Sequence, residues 1–87
     1  MSAYEAHVNV MLKSGISDPQ GQTIERALPA LGYDGVSDVR VGKRITLSVE
    51  ADGPEDATSK VTQMCERLLA NPVIESFDVT LGRREGT

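Results

Sequence analysis

Polar and apolar residues alternate from Tyr4 to Leu12. Ala6, Val8, Val10 and Leu12 fall on one side, and Glu5, His7, Asn9 and Met11 on the other. A period of two predicts a strand with one buried face. The period then changes. Ile24, Ala27, Leu28 and Leu31 follow the i, i+3, i+4, i+7 rule and predict an amphipathic helix over Asp18 to Leu31. Its punctuation agrees: Asp18 can cap the first turn, Pro19 sits where a missing donor costs nothing, and Gly32 can end the helix in the left-handed conformation. Pro29 falls near the end, where it removes a backbone donor, so a kink or a loosened last turn is expected.

Alternation returns in two short runs. Val39 and Val41 mark a second strand, and Ile45, Leu47, Val49 and Ala51 a third, with Gly42 between them as a turn. A two-residue loop would put the two apolar sets on opposite faces. An odd loop centred on Gly42, or a bulge, keeps them together and is the expected solution. That hairpin sets Arg40 opposite Arg44 on the outer face, with Lys43 at its tip. Like charges across a ladder repel. The arginines either splay into water or meet an anionic partner surface, and Arg40, Lys43 and Arg44 form the candidate partner interface.

Asp52, Gly53, Pro54, Glu55 and Asp56 read as a second helix start, with Asp52 a candidate cap and acids in the first turn. Ala57, Val61, Met64 and Leu68 form the predicted stripe, flanked by Cys65 and Leu69, and Asn71 and Pro72 end the helix. Phe77, Val79 and Leu81 alternate in a fourth strand within Val73 to Leu81. Residues 82–87 are charged and apolar-poor and read as a frayed tail. The order β-α-β-β-α-β predicts an α+β, ferredoxin-like sandwich: four antiparallel strands with both helices on one face. The other face carries Glu5, His7, Asn9, Met11, Thr46, Ser48, Glu50, Asp78 and Thr80.

Length and composition narrow the function classes. At 87 residues, one domain spanning 1–87 is expected, with a small core that makes oligomerisation a reasonable prior. A net charge of −4 argues against nucleic acid. No apolar run is long enough to span a bilayer and no signal peptide opens the chain, so a cytoplasmic protein is expected. The single cysteine, Cys65, excludes an internal disulfide and reads as a small buried thiol in the second helix. His7 reads as a solvated or hydrogen-bonded surface histidine. No catalytic, cofactor or metal constellation is visible, and the glycines form no phosphate-cradling motif. RNA-binding domains of this architecture stack bases on aromatic residues of the open face, where this chain offers at most Tyr4. Metal-carrying domains of this fold use a pair of cysteines after the first strand, and none occurs there.

Asp18, Pro19, Gln20 and Gly21, with Leu31, Gly32 and Tyr33 closing the helix, resemble the PurS family. The resemblance continues through 36–43 and 49–51 and from Met64 to Glu75, and so covers nearly the whole chain. Ser14, Pro29 and Arg44 depart from the family pattern. PurS is the small subunit of phosphoribosylformylglycinamidine (FGAM) synthase. The resemblance implies a cytoplasmic, self-associating subunit without an active site or cofactor of its own. It would bridge PurQ, a glutaminase that releases ammonia, and PurL, a synthetase that binds ATP and magnesium. A small-molecule regulatory module of the same topology is the alternative.

Overall fold

The computed structural model describes residues 1–85, with side chains through Gly82. Its elements are strand β1 (Ser2–Leu12), helix α1 (Pro19–Ala27), a 3-10 turn (Leu28–Leu31), strand β2 (Gly42–Ala51), helix α2 (Pro54–Met64), a π turn (Cys65–Leu69) and strand β3 (Glu75–Glu85). The three strands form one antiparallel sheet in the order β2-β1-β3. This is the sheet of the expected ferredoxin-like α+β fold without the strand expected at Val39 and Val41.

The alternation of β1 is realised directly. Tyr4, Ala6, Val8 and Val10 are buried, and they meet Val49, Ala51, Ala57, Val61, Cys65 and Ala70 in the core. Helix α2 packs on this face and contacts all three strands. Its buried stripe is Ala57, Val61 and Cys65, continued by half-buried Leu69, an i, i+4 row. Met64 and Leu68, expected on the stripe, are exposed, Leu68 to 83%. A row spaced by four keeps the small side chains against the sheet, and the π turn carries Leu69 back onto it.

Several local expectations change. Gly42 is not a turn: it is the first residue of β2 and pairs with Met11. A Cβ there would collide with the Met11 side chain and the Val10 carbonyl, so glycine lets the strands close together. Asp52 does not cap α2. Gly53 occupies the cap position, and the Asp56 carboxylate reaches back to accept from Asp52 N at 3.0 Å. That bond, with Lys60 beside it, lowers the Asp56 pKa. The chain expected to fray from residue 82 instead stays in β3 through Glu85, opposite Ala3, and residues 86–87 lie outside the described residues. Pro29 falls in the 3-10 turn, the loosened last turn expected of it, and Gly32 closes that turn at φ 95°.

The molecule is a plate of 52 × 30 × 14 Å, with a radius of gyration of 16.7 Å. A compact domain of this length has about 12 Å. Fully buried large side chains are few: Val8, Val10, Val61 and Cys65.

Candidate functional site

The segment between α1 and β2 is where the structure departs most from a four-stranded sandwich. Val39 and Val41 have the spacing of a strand, but their N–H groups are taken by side chains. Val39 N donates to Glu25 Oε1 at 3.0 Å, and Val41 N donates to Asp18 Oδ2 at 2.8 Å. Two carboxylates held by α1 thus stand where a neighbouring strand's carbonyls would stand, and backbone donors satisfied this way need no ladder. Asp18 Oδ1 accepts at the same time from Gly21 N at 3.0 Å, the N-cap bond of α1. The Asp18 side chain is buried, and Arg40 Nε lies 3.7 Å from Oδ2. The bonds from Gly21 and Val41, and secondarily Arg40, hold its carboxyl below the usual carboxylate range. Gly21 is buried against this junction, because a Cβ would overlap the Val39 carbonyl and crowd the Asp18 carboxylate.

Asp18, Pro19 and Gly21 are therefore one device. The acid starts the helix and grips the returning chain, proline sits at its first position, and glycine leaves room for the chain to come close. Arg40 completes the junction by donating to the Leu12 and Lys13 carbonyls at 3.0 and 3.3 Å.

The three cations expected at one hairpin tip are separated. Arg40 is turned onto the end of β1. Lys43 lies on the side of β2 that carries Ile45 and Leu47, beside a cleft of about 290 Å³ also lined by Asp18, Gln20 and Glu75. Arg44 lies on the open face, its Nη2 2.8 Å from His7 Nδ1. His7 Nε2 is 3.1 Å from Glu5 Oε2, so the ring joins an arginine to a carboxylate. Gly82 stands over that contact, where a Cβ would meet both His7 and Glu5. Asn9 donates to Asp78 at 3.0 Å in the next row. Burial pushes the Cys65 thiol up from its ordinary value, so it stays protonated inside the core.

The apolar stripe of α1 has a different fate from that of α2. The helix makes no extensive contact with any strand. Ile24 is 44% exposed, and the continuation through Leu31, Tyr33 and Val36 is exposed as well. Pro19, Thr23, Ile24 and Val41 border an open hollow. Beyond the end of α2, Leu68 and Val73 are exposed as well. Sequence reasoning missed Glu25 and the second role of Asp18. No local signal marks either, since their partners lie 14 and 23 positions away.

Comparison with known proteins gives consistent matches. The family model PurS, phosphoribosylformylglycinamidine (FGAM) synthase, matches residues 5–83. The chain is 49% identical over 75 residues to the phosphoribosylformylglycinamidine synthase subunit PurS of Mycobacterium leprae, covering 86% of this chain and 91% of the relative. It is 39% identical over 82 residues to the PurS subunit of Methanocaldococcus jannaschii, covering 94% and 99%. Among solved structures, PurLQS from Thermotoga maritima contains a chain that superposes with a TM-score of 0.86 at 39% identity, covering 94% of this chain and 100% of that one.

Proposed function

The chain belongs to the PurS family of FGAM synthase subunits, and from that premise we propose that it is the bridging subunit of this purine-biosynthetic ligase. It joins a PurL-like synthetase to a PurQ-like glutaminase and assists the passage of ammonia between them. The complex converts formylglycinamide ribonucleotide, with glutamine and ATP, to FGAM. ATP and magnesium act on the synthetase, and this chain contributes no catalytic group and no cofactor site. It works in the cytoplasm as a homodimer or higher oligomer.

The observation that carries this reading is the likeness, over nearly its whole length, to a chain of a PurLQS assembly. The physical form supports it. A plate 14 Å thick, with apolar side chains standing out of both helices, has surface to offer on several sides. The chemistry explains why a bridge matters. Ammonia is small and easily lost to water, and holding two sites in register raises the effective concentration of one for the other.

Reconstitution tests the role. Leaving this chain out of a mixture with its synthetase and glutaminase removes most glutamine-dependent turnover. Turnover with concentrated ammonium salt survives, because free ammonia bypasses the junction. Full glutamine-dependent turnover from the other two subunits alone overturns the bridge. Loss of both activities together assigns the chain to stabilising the synthetase instead.

A further inference from the structure

Aspartate followed by glycine is the pair at which a polypeptide most readily attacks its own side chain. It occurs twice in this chain, at Asp34-Gly35 and at Asp52-Gly53. The two pairs are alike in sequence and unlike in setting. We propose that Asp34 is a site of spontaneous isoaspartate formation in the folded protein, and that Asp52 is shielded from the same reaction by its hydrogen bond to Asp56.

The reaction needs only the chain and water. The amide nitrogen of Gly35 attacks Cγ of Asp34. A C–N bond forms, the Cγ–OH bond breaks, and water leaves with the amide proton. The product is a five-membered succinimide. Water then opens the ring at either carbonyl. Opening at Cγ restores aspartate. Opening at the main-chain carbonyl leaves the chain running through Cβ and Cγ, with the former main-chain carbonyl as a free carboxylate. Mass and charge are the same before and after. Ring closure needs a following residue without a Cβ, which glycine supplies. It also needs rotation of the peptide between the two residues, and that is where the settings differ.

At Asp34 nothing opposes the rotation. Residues 31–38 are all exposed. Tyr33 N donates to the Leu28 carbonyl at 3.1 Å, and the next partnered backbone donor is Val39, on Glu25. Between them the N–H groups of 34–38, that of Gly35 included, have no partner among the described residues. Gly35 stands at φ 80°, a backbone conformation open to glycine at no steric cost. A segment bonded at its ends and not between them opens locally at small cost.

At Asp52 both sides are held. Ala51 before it is fully buried and pairs with Ser2. Asp52 N donates to Asp56 Oδ2 at 3.0 Å, and the Gly53 carbonyl accepts from Ala57 N at 2.9 Å. Gly53 is extended and half-buried at the start of α2. Bringing its nitrogen onto Asp52 Cγ turns the peptide that lies between those two bonds and disrupts them. Isoaspartate at position 34 therefore has a specific consequence. It adds one carbon to the main chain between the 3-10 turn and the carboxylate-held residues 39 and 41, beside the exposed Leu31, Tyr33 and Val36.

Ageing of the full chain near neutral pH, folded and in urea, tests the proposal. Peptide mapping separates the two isomers at equal mass, and electron-transfer fragmentation shows which residue carries the change. In urea both sites isomerise at similar rates. Folding changes the rate at Asp34 by less than about twofold and slows Asp52 about tenfold, because two hydrogen bonds must open first. Methyl transfer from labelled S-adenosylmethionine by an isoaspartate methyltransferase gives a second reading, since that enzyme esterifies the displaced carboxylate. Asp34→Ala loses most of this label. Asp56→Ala raises the rate at Asp52 and leaves Asp34 unchanged. Equal slowing of the two sites on folding, faster change at Asp52 in the folded chain, or full label in Asp34→Ala overturns the site. An Asp56→Ala chain in which Asp52 stays slow overturns the shielding.

Discussion

The two helices begin alike, each with proline in its first turn, and are held in different ways. Helix α2 is held by burial: Ala57, Val61 and Cys65 lose all exposure against the sheet. Helix α1 buries only Gly21 and is held by backbone N–H groups of the returning chain, which donate to carboxylates at its start and middle. Burial is non-directional and uses up the apolar stripe. Polar anchoring fixes position with few contacts and leaves the stripe free. The lesson is that an amphipathic pattern predicts a helix but does not say which surface its apolar side will cover.

Substitutions can break this contrast, and they rank by expected effect. Val61→Ala removes two methyl groups from a fully buried site on α2. It lowers unfolding free energy by about 2–3 kcal/mol, from lost transfer energy and the cavity left behind, read as a shifted urea midpoint. Gly21→Ala strikes the other anchor by forcing a Cβ toward the Val39 carbonyl. Overpacking of this kind costs about 1–3 kcal/mol. Hydrogen exchange shows where: amides of α1 and of 39–41 lose protection, while those of α2 keep theirs. Equal loss in both helices would erase the contrast.

Asp18→Asn sharpens it through pH. The folded carboxyl titrates below its unfolded value, so its contribution is complete above about pH 4 and is lost as pH falls through the lowered folded value. Melting curves of Asp18→Asn and the natural chain therefore differ at pH 7 and converge in strong acid. A constant difference across that range would remove the charge from the account.

Two smaller effects follow. Pro29→Ala loses about 0.4–1 kcal/mol, because proline here sits in a 3-10 turn and chiefly restrains the unfolded chain. A gain in the urea midpoint would show that the proline strains the end of α1. Ile24→Ser, at an exposed site on α1, changes unfolding of the isolated chain by no more than about 0.5 kcal/mol. A loss comparable to Val61→Ala would place Ile24 in a covered core.

Much of this was legible in the sequence where the controlling interaction is local or strictly periodic. The alternation in β1 gave its buried face, and Asp18, Pro19 and Gly32 bracketed α1 and the turn that ends it. The open-face rows followed from the same parity. The misreadings concern residues whose partners are distant. Val39 and Val41 look like a strand, and only the fold brings Glu25 and Asp18 to their N–H groups. Gly42 looks like a turn, and only the pairing with Met11 shows it as a close approach. Arg40, Lys43 and Arg44 are neighbours in the chain, yet β2 sends the last two to opposite faces, and Arg40 lies before the strand begins. The hairpin expected to gather them does not form, because β2 starts at Gly42 and pairs with β1 instead.

The place of β1 at the centre of the sheet also sets the order in which the fold can be completed. The first strand made needs the last one: Asn9 meets Asp78 from 69 positions away. At about 5–20 residues per second of synthesis, the central strand waits seconds with one side unclaimed. Pairing over such separations is slow to nucleate, since the intervening loop must be closed before any contact rewards it. The nascent chain therefore carries its most apolar strand half-paired until β3 arrives, and the time of greatest vulnerability to aggregation falls before the sheet is whole.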